Sequence, residues 1–596
     1  MLLQAALVSL VLQASIVHTD LSARGSPLCD ATFDYVVVGG GTGGNVVATR
    51  LAQNGFRVAL VEAGGLYELE SLAAVPAADV LPCGSDPDTQ SAVDWGFVTH
   101  GQPGANGRSI HYARGKCLGG SPTVGSMQQW ADAVNDSSYT FDEVLPYYKR
   151  SVQFTAPNTN IRAPNATATY SQNAFEEGGG PLQVSYANYA MPFSSWMQLG
   201  MEAIGIKEKD GFNSGSLMGA QYCSSTIDPS SELRSSSQSS FLTYIMPSTL
   251  TTYSNTLAKK VVFNKQKEAT GVQVNGFLGN TVTLHASKEV IISAGAFQSP
   301  QLLMVSGVGP SDELKEHGID IVADRPGVGQ NMWDHPFFAP TYRVRVDTLT
   351  KFADNPLYAA GSILEGFLDK TGPITNPVAD YLAWEKIPQS LRSQFSQSTQ
   401  DSLKRFPSDW PEAEYISGAG YIGNVSNLLD DQPNDGYQYA SILGVLVAPQ
   451  SRGNVTIKSA DTSDLPIINP NWLDNTADKE VAIAMFKRMR QAFQSEAMAP
   501  VVIGKEYYPG DGVQSNADIL EFIKNNVMPI WHASCTCQMG SSDDEMAVVD
   551  SQARVYGVHG LRVVDASAFP FLPPGHPQST VYMLAEKIST AIIQNS

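Results

Sequence analysis

Cysteine is scarce in this 596-residue chain. The six residues Cys29, Cys83, Cys117, Cys223, Cys535 and Cys537 are too few to staple a protein of this length. Stability must come instead from a large apolar core, expected in two intimately packed domains. Cys535-x-Cys537 has one intervening residue and no second pair, so the ordinary zinc spacings are excluded and packing or disulfide bonding is expected. Positive charge is also short: 38 basic residues face 58 acidic ones, a net charge of −20. Nucleic acid and anionic membrane surfaces would repel such a chain. Long apolar runs are missing after residue 17, and the run from Leu2 to Val17 is broken by Gln4, Gln13 and Ser15. That run is short for a bilayer span and fits a secretory signal segment over about residues 1–24. It has no charged n-region, so a buried N-terminal helix is the alternative. A secreted protein, or one of the secretory-pathway or vacuolar lumen, is therefore expected. Sequons at Asn135, Asn165, Asn424 and Asn454 are compatible with glycosylation.

What is present begins at Phe33. Tyr35 to Val38 is a β-branched run suited to a strand buried on both faces of a parallel sheet. Asn45 to Asn54 follows at helical spacing, Gly55 ends it, and Val58 to Val61 reads as a second strand. This is a βαβ unit. Its turn carries Gly39-x-Gly41-x-x-Gly44, with Thr42 and Gly43 between the last two glycines, and Glu62 ends the second strand. Such glycines let the backbone approach a pyrophosphate at a helix N-terminus, and the acidic residue is placed to bond a ribose. The unit predicts a bound dinucleotide without saying which. Export favours FAD, which can be loaded before secretion and kept, over free NAD.

Further motifs follow in order: Arg114-Gly115-Lys116-Cys117-Leu118-Gly119-Gly120-Ser121, then Lys288 to Pro300 running into Ser306-Gly307-Val308-Gly309-Pro310. After these come Pro326-Gly327-Val328-Gly329-Gln330-Asn331, Asp334-His335-Pro336, Trp531-His532-Ala533 and Cys537-Gln538-Met539-Gly540. Gly560 to Ser567 and Pro574-Gly575-His576-Pro577-Gln578-Ser579-Thr580 complete the set, the latter opening a helix to about Ile593. From Phe33 to Ile593 the chain resembles the glucose–methanol–choline (GMC) family of FAD oxidoreductases, in particular its secreted fungal branch of aryl-alcohol-oxidase and patulin-synthase type. The resemblance implies an α/β fold: a discontinuous, Rossmann-like FAD-binding domain on a mostly parallel sheet, with a substrate domain of antiparallel sheet plus helices. It divides the chain into an N-terminal part at 32–345 with interleaved substrate-domain segments, a cover at 346–448 and a C-terminal part at 449–593.

The same resemblance carries catalytic roles to His532 and His576. It carries cofactor contact to the turn residues above and Glu62, and to Arg114, Gly119, Ser121, Val262, Asp565, Ala566, Pro577, Gln578 and Ser579. Asp565 could equally be a helix or turn cap, and His100, His111 and His335 read as structural. The chain departs from the family where Gly120-Ser121-Pro122-Thr123-Val124-Gly125 puts Gly125 in the usual Asn place. Of the aromatics in the cover (Tyr358, Phe367, Tyr381, Trp384, Phe395, Trp410, Tyr415, Tyr421), most are expected in the core and a few along an entry path.

An alcohol gives up a carbon-bound hydride readily when its hydroxyl proton is being removed, so a base must act beside the flavin. Histidine suits that role. The expected reaction is oxidation of an alcohol to an aldehyde, ketone or lactone. The hydride goes to flavin N5 and the proton to His532, with oxygen or another acceptor reoxidising the flavin. His576 would act on, or orient, the substrate hydroxyl. A small aromatic or polyketide-derived alcohol of secondary metabolism fits better than a common sugar. The rivals are a dehydrogenase acting on sugars with a non-oxygen acceptor, a hydroxynitrile-lyase-like enzyme, and a flavin-storage protein, which would not need His532.

Overall fold

The computed structural model describes residues 23–24, 26–65, 72–88, 94–114, 124–245 and 247–596. All but two residues of the expected signal segment, and the stretch holding Cys117, Gly119 and Ser121, lie outside these residues. Strand β1 (Ala31–Val38) starts four residues before Tyr35, because Ala31 to Phe33 pair with Leu284 to Ala286. Helix α1 (Thr42–Gln53) likewise starts at Thr42, taking Gly43 and Gly44 into its first turn. Asn54 caps it, and Gly55 at φ +87° turns the chain into β2 (Val58–Val61).

The chain then alternates between two sheets. Strand β3 (Gly219–Tyr222) belongs to the second sheet. The first takes β4 (Leu250–Tyr253), β5 (Ala258–Phe263), β6 (Ala269–Asn275) and β7 (Thr281–Ile292), followed by helix α2 (Gly295–Val305). The second sheet then gains β8 (Pro336–Phe338), β9 (Thr341–Val344), β10 (Tyr381–Glu385), β11 (Ala413–Gly418) and β12 (Gln438–Leu446). Helix α3 (Thr476–Phe493), β13 (Val502–Tyr508) and β14 (Met528–Pro529) complete that half. Strand β15 (Leu561–Val563) and helix α4 (Gln578–Gln594) return to the first.

In the first sheet β4, β2, β1 and β7 are adjacent and parallel, and β15 lies parallel to the end of β7. Strands β6 and β5 extend it antiparallel. All four residues of β2 are buried, as an apolar strand covered on both faces requires. The second sheet runs β13–β9–β12–β11–β10–β3, antiparallel throughout, with β8 alongside β12 and β14 paired to β8. The architecture is the expected α/β one, a mostly parallel sheet built from distant segments beside an antiparallel sheet with helices.

Helix α4 packs along α1, and Arg50 meets the fully buried Glu586 at 2.6 Å. Arg150 and Ser151 also reach this carboxylate, so its charge is compensated where an unpaired one would be costly. Among the described residues no helix is long and apolar enough to cross a membrane.

Candidate active site

The three glycines of the first turn do different work. Gly39 sits at φ +103°, and a Cβ there would lie 2.3 Å from the Ser293 carbonyl oxygen. A Cβ on Gly44 would lie 1.9 Å from the Gly39 carbonyl oxygen, so α1 rests directly on the turn. Gly43 is pressed in the same way against the Val564 carbonyl oxygen at 2.4 Å. A Cβ on Gly41 would meet nothing within 4 Å, because that side opens into a cavity of about 840 Å³. Gly39, Gly41, Thr42, Gly43 and Glu62 all line the cavity, and Gly44 lies beneath it. Glu62 accepts from the amides of Gly40 (2.7 Å) and Gly64 (2.6 Å), which fixes its carboxylate at the rim.

The far wall comes from the C-terminal segment. The Asp565 carboxylate accepts from the Ser567 amide (2.7 Å) and hydroxyl (2.5 Å), the Gly295 amide (2.9 Å) and the Ser299 hydroxyl (2.6 Å). It is thus the cap of a short turn and the tie between that turn and α2. Ala566, Pro577, Gln578 and Ser579 line the cavity with it. Gln578 Nε2 and Ser579 Oγ are buried at the N-terminal end of α4 without a hydrogen-bond partner. Orphaned polar atoms of this kind call for a ligand rich in oxygen and nitrogen. Together with the glycine opening they fit an FAD, which these residues would hold.

Two expected contacts fall differently. Val262 is not among the residues that line the cavity, which the same strand reaches at Ala258. Arg114 does line the cavity. Gly125, in the place of the usual Asn, donates its amide to Asp409 at 2.8 Å and stands away from the cavity.

His532 and His576 face each other with ring centroids 4.9 Å apart, both at the cavity wall. His532 is 6% exposed. Its Nδ1 lies 3.1 Å from Nδ1 of His335, which leaves Nε2 for the cavity. Burial, followed by the charges of His576, His335 and Arg114, holds its pKa well below the ordinary 6.5. His335, completely buried, is held low by burial and by His576. His576 goes the other way. Burial pulls it down, but the charge of Glu414 and a 2.7 Å bond from Nε2 to that carboxylate outweigh burial and raise it. Behind His532, burial pushes the Asp334 carboxyl up to about 7 although Tyr112, the His335 amide and Trp472 all bond to it.

The structure therefore brings both expected histidines together and adds two groups that the sequence did not single out for the site, Glu414 and the base's neighbour His335. His111, by contrast, pairs with Asp94 at 2.8 Å. Cys535 and Cys537 are buried free thiols, the packed alternative, and burial pushes both well up.

Residues 33–337 and 449–585 match the N- and C-terminal parts of the GMC oxidoreductase family. The chain belongs to that family. It is 48% identical to a patulin synthase of Penicillium expansum over 581 residues, 95% of this chain and 92% of that one. Among solved structures it is similar to an FAD-dependent oxidoreductase from Chaetomium thermophilum (TM-score 0.82, 25% identity, 94% and 99% of the two chains). A formate oxidase is similar to the same degree (TM-score 0.82, 25% identity, 96% and 99%). The chain is an FAD-dependent oxidoreductase.

In this GMC oxidoreductase the second sheet turns one face to the histidines. Leu382, Ile416 and Leu443 form one cross-strand row, and Trp384, Glu414, Val445 and Phe337 the next. Trp384 lies 6.4 Å from His576, ring to ring. Glu414 is the ionisable residue in these rows, and its charge is committed to His576.

Proposed function

We propose that this protein oxidises an alcohol to a carbonyl compound, His532 taking the hydroxyl proton. The observation that carries the reading is the pairing of two imidazoles 4.9 Å apart in opposite surroundings: burial and cationic neighbours lower the pKa of His532, whereas the bonded Glu414 carboxylate raises that of His576. Pairs of groups pushed apart in this way mark acid and base roles. Bound FAD supplies a two-electron, hydride-accepting group to the site. His532 Nε2, whose lowered pKa favours the neutral imidazole, removes the proton that would otherwise hold the C–H electrons back. His576, with Nε2 on Glu414, has Nδ1 to donate toward the same oxygen, which steadies the charge that develops there. The rows of Leu382, Ile416, Leu443, Trp384 and Phe337 supply an apolar wall, which suits an aromatic or polyketide-derived alcohol and offers few donors to a polyol.

The same proposal takes oxygen as the final electron acceptor, giving hydrogen peroxide, and places the enzyme in secondary metabolism. The likeness to a patulin synthase supports the latter. Secretion is also proposed. Asn135, Asn165 and Asn424 of the four sequons are exposed, which leaves them open to glycan transfer. Anaerobic mixing with a panel of alcohols, followed by flavin absorbance, tests the reaction. Bleaching by aryl or polyketide alcohols and peroxide on readmitting air are expected. A flavin that stays oxidised with every alcohol while a cyanohydrin is cleaved would overturn it, and bleaching without peroxide would move the acceptor from oxygen to another oxidant.

A further inference from the structure

Side chains hold much of the backbone around His532. Its amide donates to Asp334 Oδ1 at 3.1 Å, and the Ala533 amide donates to the Tyr112 hydroxyl at 3.0 Å. Its own carbonyl accepts from the Ser534 hydroxyl at 2.8 Å. The carbonyls on either side, those of Trp531 and Ala533, accept from one guanidinium. Arg114 Nη1 reaches Trp531 at 2.7 Å and Nη2 reaches Ala533 at 3.4 Å.

We propose that Arg114 is the positioning residue of His532, its forked guanidinium bracketing that histidine's peptide and aiming the imidazole into the cavity. The claim rests on His532 being the base. Trp531 stands at φ +61°, a left-handed conformation that a bulky residue does not hold without support. The bond from Arg114 to its carbonyl supplies that support. The arginine is itself fixed at both ends. Its amide donates to Asp94 Oδ1 at 3.2 Å, and the other oxygen of Asp94 is held by His111 at 2.8 Å. Its guanidinium lies over the Phe297 ring at 5.4 Å, and Phe297 packs edge-on against Tyr112. A lysine could supply the charge but not the fork. Arg114 is also one of the charges facing His532. The others are His335, His576 with Glu414 behind it, and Asp334, and Tyr112 is the remaining titratable neighbour. Its positive charge opposes protonation of the imidazole.

The test compares Arg114→Met and Arg114→Lys with the wild-type holoenzyme. Three readouts are taken: FAD content, flavin bleaching against pH, and titration of ¹³C-labelled histidines by NMR. With nine histidines in the chain, His532 is assigned by its disappearance in His532→Ala. In Arg114→Met we expect retained FAD, bleaching slowed by about 10²-fold as for an ångström-scale misplacement, and a His532 titration moved to higher pH. In Arg114→Lys the titration should stay near wild type while the rate remains reduced. An Arg114→Met imidazole that titrates as in wild type, with bleaching unchanged, overturns the proposal. Loss of FAD with a normal His532 titration also overturns it and makes Arg114 a cofactor ligand. If His532→Ala bleaches at the wild-type rate, the base assignment fails, and an NMR titration that moves in Arg114→Met still establishes the bracketing.

Discussion

The Nδ1 atoms of His335 and His532 lie 3.1 Å apart, so one ring donates a proton there and the other lends a lone pair. For His532 to present a basic Nε2, its Nδ1 must carry that proton and His335 must accept it. His335 thus sets the tautomer of the base, the role a carboxylate plays in other sites, without bringing a negative charge that would raise the base's pKa. His335→Ala should slow flavin reduction by on the order of tenfold, the size of one neutral hydrogen bond. His335→Asn, which keeps an acceptor, should be milder. Stopped-flow bleaching of the two variants decides, and equal rates for both would remove the tautomer role.

His532→Ala should keep its FAD and slow bleaching by about 10²–10⁴-fold, the usual reach of a general base. In the wild type the rate should fall with acid only below the ordinary histidine range, because burial and cationic neighbours hold the pKa down. In the variant this acid limb should vanish. A rate profile across pH checks both halves.

Glu414→Gln should lower the pKa of His576. Gln keeps an acceptor for Nε2 but removes the carboxylate's charge, so burial meets less opposition and the imidazole gives up its proton and positive charge more readily. The His532 pKa, partly held down by that charge, should then rise and carry the acid limb of the rate profile upward. Stability shifts as well. The raised pKa of His576 stabilises the wild type below the unfolded value of about 6.5. That contribution is lost as pH climbs through the folded value. Thermal melts at a series of pH values should show this loss in the wild type and a flat response in Glu414→Gln over the same window.

Replacement of His576 by Asn should be milder than replacement by Ala, since Asn can still donate to the buried Glu414 carboxylate, while Ala leaves it without a donor from this position. Equal losses in both variants would mean that the imidazole's charge, not its hydrogen bonds, is what the site uses.

Gly41→Val and Gly44→Ala separate two kinds of glycine. Gly41 has φ −80°, which valine adopts without strain, and its Cβ would enter open space. That variant should fold and fail to retain flavin. Gly44→Ala puts a methyl 1.9 Å from a backbone oxygen, so α1 must move, at a typical overpacking cost of 1–3 kcal/mol. Calorimetry together with flavin absorbance distinguishes them: colourless but stable for the first, a lowered Tm for the second.

The cradle was legible in the sequence because its chemistry is local: strand, glycines, helix and acidic residue lie within Phe33 to Glu62. His532 and His576 were legible through their motifs. Glu414 was not, since it lies on a buried strand among apolar residues, and only the pairing of β11 with β10 and β12 sets it beside a histidine 162 residues on. His335 read as structural for the same reason, its partner being 197 residues away. Composition likewise could not rank the eight aromatics of the cover. Trp384 lines the cavity, whereas Tyr381, Phe395, Trp410 and Tyr415 are core, a matter of strand parity and packing.

The union of the first and last helices governs when the nucleotide can be captured. The glycine turn leaves the ribosome early, yet the carbonyl that Gly43 presses against belongs to Val564, and the carboxylate that closes on Arg50 comes 536 residues later. Until that final stretch is synthesised and docks, the cradle has one wall. A chain stopped just before Gln578 should therefore have every cradle glycine yet lose the buried polar atoms of Gln578 and Ser579 and the Glu586 carboxylate that closes on Arg50, and hold FAD poorly.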